Sequence, residues 1–306
     1  MSIIFFGTPQ FAAASLQALI DSNENIPLVI TQPDKKSGRG GKISKPPVKI
    51  LAEDNKIEIL QPGSLTDNDL PERLHSISPE FIVVVAYGKI LRESILGIPS
   101  RGCINVHASL LPEYRGAAPI QWALINGESI TGVTTMFMDK GMDTGDILLR
   151  KEVAIKRNDT SDTLAERLAH VGADLLLDTI KGLREELIRP VAQQGTSSYA
   201  PILKKEDGRI DWGKSAMSLH SFIRGMYPWP CAFTFYRDKY IKIHEALPAE
   251  GSGVSGRIDS TSGNEIVIGT GDGLLIIKRV QPEGKTVMDA KAFINGYRLK
   301  EGESFE

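Results

Sequence analysis

Three polar residues in this chain of 306 could together carry proton-coupled acyl chemistry: Asn105, His107 and Asp143. The run Cys103-Ile104-Asn105-Val106-His107 reads as a short buried strand, and period-two alternation puts Asn105 and His107 on one side of it. An amide donor and an imidazole side by side at a strand end can bind a carbonyl oxygen and protonate it as it turns negative. Asp143, in a turn flanked by Gly141 and Gly145, could orient that imidazole or handle a proton. Taken singly, each has an ordinary reading: Asn as a turn or cap residue, His as packed or surface-exposed, Asp-Thr-Gly as turn chemistry. The joint pattern, Asn-x-His with Ser109-Leu110-Leu111-Pro112 after it and an Asp in a Gly loop further on, is much harder to reach by accident. Cys103 is the rival nucleophile, and it is expected to alternate away from the site residues as a buried core thiol.

The elements that must position these groups follow from hydrophobic periodicity. Ser2 to Phe6 is an apolar strand. Phe11 to Ile20 has helical spacing, with Thr8 as N-cap and Pro9 as first helical residue, and Pro27 to Thr31 is a second strand. This β-α-β unit implies a parallel sheet with helices on both faces. Phe81 to Ala86 is apolar without alternation, as in a central strand covered on both sides. Tyr87-Gly88-Lys89 then stand at its carboxyl end, where open α/β sheets bind ligands. Helices are expected over Pro47 to Asp54, Asp67 to Ser76, Ala118 to Asn126 and about Thr163 to Arg184, and strands over Ile57 to Leu60, Gly132 to Met138 and Ile147 to Ile155.

The texture changes toward the C-terminus. Arg189 to Tyr199 lacks periodicity and reads as a linker; short β-type runs between Gly-rich turns then predict a small β-barrel, with helices over Ser215 to Met226 and Asp289 to Gly296. The expected organisation is an α/β, doubly wound, mostly parallel domain over 1–189, a linker over 190–205 and a β-barrel over 206–306. Pro33 to Pro47 is a polar, Gly-rich loop carrying Lys35, Lys36, Arg39, Lys42 and Lys45, with Lys49 just beyond it and no acidic residue from Lys35 to Lys49. It reads either as a solvated loop or as a phosphate-contacting segment.

Composition bounds the rest. Hydrophobic content of 41% and charged content of 24% suit a soluble globular chain with a real core. A net charge of −2 does not advertise a nucleic-acid partner, so any RNA contact has to come from a local patch. Two distant cysteines give no disulfide framework and no zinc spacing, so no metal is expected and a cytoplasmic setting follows. The N-terminal apolar run is too short for a signal peptide and no stretch is long enough to cross a bilayer. A monomer is expected.

Asn105 to Pro112, with Arg115-Gly116, Pro119 and Asp143, resembles the signature of the 10-formyltetrahydrofolate-dependent formyltransferases. The resemblance extends over nearly the whole chain. Phe6-Gly7-Thr8-Pro9-Gln10-Phe11-Ala12, Thr31-Gln32-Pro33-Asp34 with its basic loop, and Tyr199-Ala200-Pro201 leading to Lys205 through Trp212 point to a member acting on initiator methionyl-tRNA. The resemblance implies a Rossmann-like catalytic domain, a C-terminal barrel of the oligonucleotide-binding type, and 10-formyltetrahydrofolate as formyl donor. It implies catalytic roles for Asn105, His107 and Asp143, and a folate pocket drawn from Ala86, Tyr87, Gly88, Ser109, Leu110, Leu111, Pro112 and Gly141. Ser109 also has a loop-shaping reading. tRNA would meet Arg39, Lys35, Lys36, Lys42 and Lys45 on the basic loop, and Lys204, Lys205 and Arg209 at the start of the barrel.

Three rivals stand beside this reading. A formyltransferase for another amine, such as a nucleotide-linked amino sugar or a purine-pathway ribonucleotide, would share the core motif but not need the basic loop. A non-enzymatic RNA-binding module would not need Asn105, His107 and Asp143. A dehydrogenase would need a glycine fingerprint, which Gly7-Thr8-Pro9 does not supply.

Overall fold

The computed structural model describes residues 1–37, 42–65 and 69–306, with the side chains of Lys36, Ser37 and Lys42 outside that description. It divides into two compact units: residues 1–119, 130–154 and 165–200, and residues 120–129, 155–164 and 201–306.

The first unit is built on a seven-stranded sheet. In chain order its elements are β1 (Ile3–Gly7), α1 (Gln10–Asp21), β2 (Leu28–Ile30), the short hairpin β3 (Lys35–Ser37) and β4 (Lys42–Ser44), α2 (Pro47–Asp54), β5 (Glu58–Leu60), α3 (Asp69–Ile77), β6 (Phe81–Val85), α4 (Glu93–Leu96), β7 (Cys103–His107) and β8 (Arg115–Gly116). After α5 (Pro119–Ile125), whose residues from 120 on belong to the second unit, come β9 (Ile130–Phe137), β10 (Ile147–Ala154), α6 (Ser161–Arg184), which enters this unit at residue 165, and β11 (Tyr199–Ala200). The sheet order is β10-β9-β7-β6-β1-β2-β5. Its β7-β6-β1-β2-β5 part is parallel, while β9 and β10 run antiparallel as an edge hairpin. β1 and β6 are buried at every residue, as strands covered on both faces must be. The expected parallel core is therefore present, and β6 is the middle strand of the seven.

Local chemistry differs from expectation at the start of α1. Pro9 occupies the N-cap with no side-chain cap. Thr8 does not cap the helix: its hydroxyl donates to the Tyr87 carbonyl at 3.3 Å and accepts from the Gln32 N–H at 3.4 Å, tying together three strand ends. In the basic loop, Lys35–Ser37 pairs antiparallel with Lys42–Ser44, and residues 38–41 lie outside the described residues. The start expected at Asp67 for the third helix lies outside the described residues.

The segment 190–200 is pinned. Val191 and Ile147 exchange backbone hydrogen bonds at 2.8 and 2.9 Å, and β11 pairs with β8 in parallel. Gly116 permits that pairing: it has φ 117°, and a Cβ there would stand 2.8 Å from the Ala200 carbonyl oxygen.

The second unit holds α7 (Ala216–Met226), β12 (Ala232–Tyr236), β13 (Lys239–Ala249), β14 (Ile258–Ser260), β15 (Ile266–Gly269), β16 (Leu274–Pro282), β17 (Met288–Asp289) and α8 (Ala290–Tyr297). Its antiparallel sheet runs β12-β13-β16-β15-β14, with β17 on β16. The last residues close the curl. Glu306 exchanges backbone hydrogen bonds with Phe235 on β12, while Ile258 on β14 bonds to Glu303 and Gly302. Both end strands thus meet the same segment, which leaves neither edge bare. Ile241, Ile243, Ile266, Ile268, Leu275 and Ile277 fill the interior. Ser215 and Asp289 cap α7 and α8 with their side chains. Among the described residues, no helix is long and apolar enough to cross a membrane.

Candidate functional site

Asn105 and His107 project from the carboxyl half of β7, and Asp143 comes from the loop between β9 and β10. Strand β9 lies directly beside β7, with Asn105 opposite Met136 and His107 opposite Thr134, so the hairpin loop returns to the end of β7. Tight packing sets the loop's path. A Cβ on Gly145 would collide with the Phe137 carbonyl, and Asp139 accepts from the Gly141 N–H (2.9 Å) and the Thr144 hydroxyl (2.7 Å). Asp143 itself sits at φ 55°, a left-handed conformation that Asp tolerates better than most residues.

The three side chains meet. Asp143 Oδ1 accepts from Asn105 Nδ2 at 3.3 Å, Asp143 Oδ2 accepts from the Gly116 N–H at 2.8 Å, and His107 Nδ1 stands 3.7 Å from Asp143 Oδ2. Asn105 and His107 are buried, and Asp143 is 15% exposed at its side chain. His107 Nε2 lies 3.0 Å from the Tyr114 carbonyl. A carbonyl can only accept, so Nε2 carries a hydrogen and Nδ1 is the nitrogen that changes protonation. The carboxylate is held by two donors from different strands, β7 and β8, while the imidazole contact is longer than a hydrogen bond. This arrangement can present an amide N–H and an imidazole to a developing oxyanion, with a carboxylate in reach of the same space.

Cys103 shares the parity of Asn105 and His107, so alternation does not separate it from them as the sequence reading had it. Depth does: it lies at the start of β7 in the core, its thiol donates to the Leu96 carbonyl at 3.7 Å, and burial pushes it up to about 12. It is a structural thiol.

At the carboxyl end of β6, Ala86 (φ 44°) and Gly88 (φ 84°) are left-handed and exposed, with Tyr87 buried between them. The Tyr87 ring packs edge-on against Phe6 in the core, and burial pushes its hydroxyl up to about 12. Its carbonyl is taken by Thr8 and by Gln32 Nε2 (3.1 Å). What this turn offers a ligand is therefore the backbone around Ala86 and Gly88, not the phenol.

Ser109, Leu110, Leu111 and Pro112 follow β7. Ser109 is buried with its hydroxyl donating to Glu113 O at 2.5 Å, and Thr134 Oγ1 donates to Ser109 O and accepts from the Leu111 N–H. Leu111 packs with Met136 and Ile147. Those two side chains shape the loop from inside, whereas Leu110 and Pro112 are half-buried and Gly141 is exposed.

The expected basic face is partly neutralised. Lys35 is exposed, but Lys45 pairs with Glu53 (2.7 Å), which raises its ammonium above the ordinary value. Lys49 bonds to Asp34 (2.8 Å) and to Gln61 Oε1, and the hydrogen bonds that Lys49 and Gln61 Nε2 donate to Asp34 lower its carboxyl. Arg39 lies outside the described residues, as do the side chains of Lys36 and Lys42. In the second unit, Lys205 and Arg209 stand over the Tyr240 and Phe235 rings at 5.5 and 5.8 Å, and the Lys204 backbone N–H bonds to Asp207. Among the described residues, no group of His, Cys, Asp or Glu side chains could hold a metal ion.

Sequence reasoning missed Thr8, Gln32, Thr134 and Gln193. Each acts through a hydrogen bond to a residue at least 23 positions away, and no local pattern carries that signal.

Comparison with known proteins points the same way. The family described as formyl transferase matches residues 1–180, and its C-terminal domain matches residues 202–298. A methionyl-tRNA formyltransferase of Thermodesulfovibrio yellowstonii is 52% identical over 300 residues, covering 98% of this chain and 97% of that protein. One from Citrifermentans bemidjiense is 45% identical over 303 residues, covering 99% and 95%. In shape, an N-formyltransferase of Helicobacter canadensis, solved with folinic acid and dTDP-3-aminofucose, matches with a TM-score of 0.71 at 20% identity, over 90% of this chain and 98% of that one. With both halves matched in register and full-length relatives near half identical, the chain belongs to the formyl transferase family.

Proposed function

We propose that this chain transfers the formyl group of 10-formyltetrahydrofolate to the free amino group of methionyl-initiator tRNA, for translation initiation. The observation that carries this reading is the meeting of Asn105, His107 and Asp143 at one sheet edge, in a chain whose relatives act on methionyl-tRNA. Formyl transfer needs donors for a tetrahedral oxyanion, removal of a proton from the attacking amine, and protonation of the leaving nitrogen. Asn105 has one N–H toward Asp143 and a second for the oxyanion. His107 donates through Nδ1, since Nε2 is held by Tyr114 O. Asp143, fixed by Asn105 and Gly116, accepts the amine proton through water.

The folate would lie against the exposed backbone of Ala86 and Gly88, with Leu110, Pro112 and Gly141 facing it and Ser109, Tyr87 and Leu111 supporting those positions from behind. The left-handed turn at Ala86 and Gly88, which bares main-chain groups on either side of a buried residue, fits a flat heterocycle read by backbone hydrogen bonds. In this reading residues 1–189 form the catalytic domain, 190–205 join it to the barrel of 206–306, and the barrel meets tRNA through Lys204, Lys205 and Arg209. Lys35, Lys36, Arg39, Lys42 and Lys45 meet the acceptor end.

The test is a transfer assay with labelled 10-formyltetrahydrofolate and three acceptors: methionyl-initiator tRNA, methionyl-elongator tRNA and a dTDP-linked amino sugar. Label should pass to the initiator tRNA. Equal labelling of both tRNAs would overturn the initiator assignment, and labelling of the sugar alone would overturn the tRNA.

A further inference from the structure

One side chain outside the expected site touches the Asp143 loop from behind. The Gln193 amide donates from Nε2 to the carbonyls of Asp143 (2.9 Å) and Gly145 (2.8 Å). Its Oε1 accepts from Arg115 Nε (3.2 Å) and Nη2 (2.6 Å). Two donors and two acceptor positions exhaust what a primary amide can offer. The assignment of oxygen and nitrogen is fixed by the partners. A flipped amide would set oxygen against two carbonyls and NH2 against a guanidinium.

We infer that Gln193 is a positioning residue for formyl transfer, acting through Asp143. The inference rests on the catalytic reading of Asp143 given above. Asp143 is a non-glycine residue at φ 55°, so the peptide after it needs an external hold to keep the carboxylate aimed. Gln193 supplies that hold on the main chain. The same amide also fixes Arg115, whose neighbour Gly116 gives the 2.8 Å N–H bond to Asp143 Oδ2. One side chain thus grips the carboxylate's own backbone and the residue next to its donor. Gln193 itself stays in place because Val191 is locked to Ile147, and Ser198 Oγ accepts from the Tyr114 N–H at 2.8 Å. That second bond belongs to the residue whose carbonyl anchors His107. Segment 190–200 therefore supports both the carboxylate and the imidazole.

The rival is a plain tether, in which Gln193 only secures its own segment through Arg115. Two substitutions separate these roles. Gln193→Ala removes all four bonds. Gln193→Glu keeps the length and can still pair with Arg115, but turns an anionic oxygen toward the Asp143 and Gly145 carbonyls. Single-turnover rates, kcat and both KM values are measured for each, beside Asp143→Asn and the thermal midpoint.

Positioning through Asp143 predicts that both Gln193 variants lose roughly 10- to 100-fold in kcat, with KM for either substrate moving less than about threefold. It also predicts that Gln193→Ala adds little further loss in the Asp143→Asn background, since residues acting as a unit are not additive. A Gln193→Glu enzyme with wild-type kcat would overturn the inference in favour of the tether. So would a full multiplicative loss in the double variant. If Asp143→Asn keeps normal kcat, the catalytic reading of Asp143 is what fails. If Asp143→Asn is crippled while both Gln193 variants turn over normally, only the positioning role is lost. Should Gln193→Ala unfold, Gln193→Glu still decides, because it retains the Arg115 contact.

Discussion

The two ends of the parallel sheet treat buried charge in opposite ways. At the amino ends of β2 and β6, Arg184 lies between Glu24 and Glu80. It bonds to Glu24 at 2.7 and 2.9 Å and to Glu80 at 2.8, 3.0 and 3.3 Å, and Arg101 adds a contact to Glu80 at 3.5 Å. Hydrogen bonds donated to Glu24, then to Glu80, hold the Arg184 guanidinium well above its ordinary value. At the carboxyl ends, Asp143 has a 3.3 Å bond from Asn105 and a 3.7 Å approach from His107. The first network is closed: its donors and acceptors are short-range and matched. The second is drawn together but slack on the side where a reacting group would enter. A closed network can only stabilise, whereas slack contacts can tighten when charge develops.

The largest effect should come from the slack end. Asn105→Ala and His107→Ala are each expected to lower kcat at least about a hundredfold, a loss of roughly 3 to 4 kcal/mol in barrier. Folate affinity and thermal midpoint should change far less. Steady-state kinetics with folate titration checks this, and a change confined to KM would remove the residue from the catalytic role.

The closed end should behave in reverse. Arg184→Met leaves Glu80, 4% exposed at its side chain, without its main cation, and is expected to cost about 3 kcal/mol of stability. Activity per folded molecule should be unchanged. Chemical denaturation read beside kcat would break the contrast if activity fell in step with stability at temperatures where the variant is folded.

A third buried group sharpens the comparison from the C-terminal unit. Burial, with Arg224 and Arg157 nearby, pushes the His220 imidazole down to about 4 from the usual 6.5. The folded state therefore keeps it neutral where the unfolded chain takes up a proton. Stability is flat above pH 6.5, falls as pH drops toward 4, and levels off below that, by about 3 kcal/mol in all. Urea unfolding across this range should show the slope, and His220→Gln should flatten it.

The smallest effect is expected at Lys45. Its bridge to Glu53 is solvent-exposed, so Lys45→Ala should leave the unfolding midpoint within error. If Lys45 meets phosphate, the salt slope of tRNA binding should fall by about one. An unchanged slope would show that the ion pair within the protein persists on binding.

What could be read from residue order was whatever repeats locally. β6 announced itself through five consecutive apolar residues, and Asn105 and His107 through their shared parity. Helices α7 and α8 were expected over Ser215 to Met226 and Asp289 to Gly296, and both are present with Ser215 and Asp289 as their caps. Single long-range bonds were invisible. Thr8 looked like a cap because Ser and Thr before a helix usually are, but its hydroxyl serves Tyr87, 79 residues away. Gln193 sits in a segment with no period at all. The lysine loop looked unopposed because Asp34 and Glu53 lie just outside it in sequence, though they pair with Lys49 and Lys45 in space. The closing turn of the barrel depends on residues 302–306, whose partners at 235, 256 and 258 leave no trace in composition.

The bond from His107 to the Tyr114 carbonyl leaves the ring one working door. A proton that departs through Nδ1 must be replaced through Nδ1, so the side chain cannot pass protons straight through from one nitrogen to the other. Reloading and delivery have to alternate at a single atom. In the proposed transfer, the departing nitrogen can take a proton from this ring only at Nδ1, and a proton that Asp143 has received from the amine can reach the ring only at that same atom.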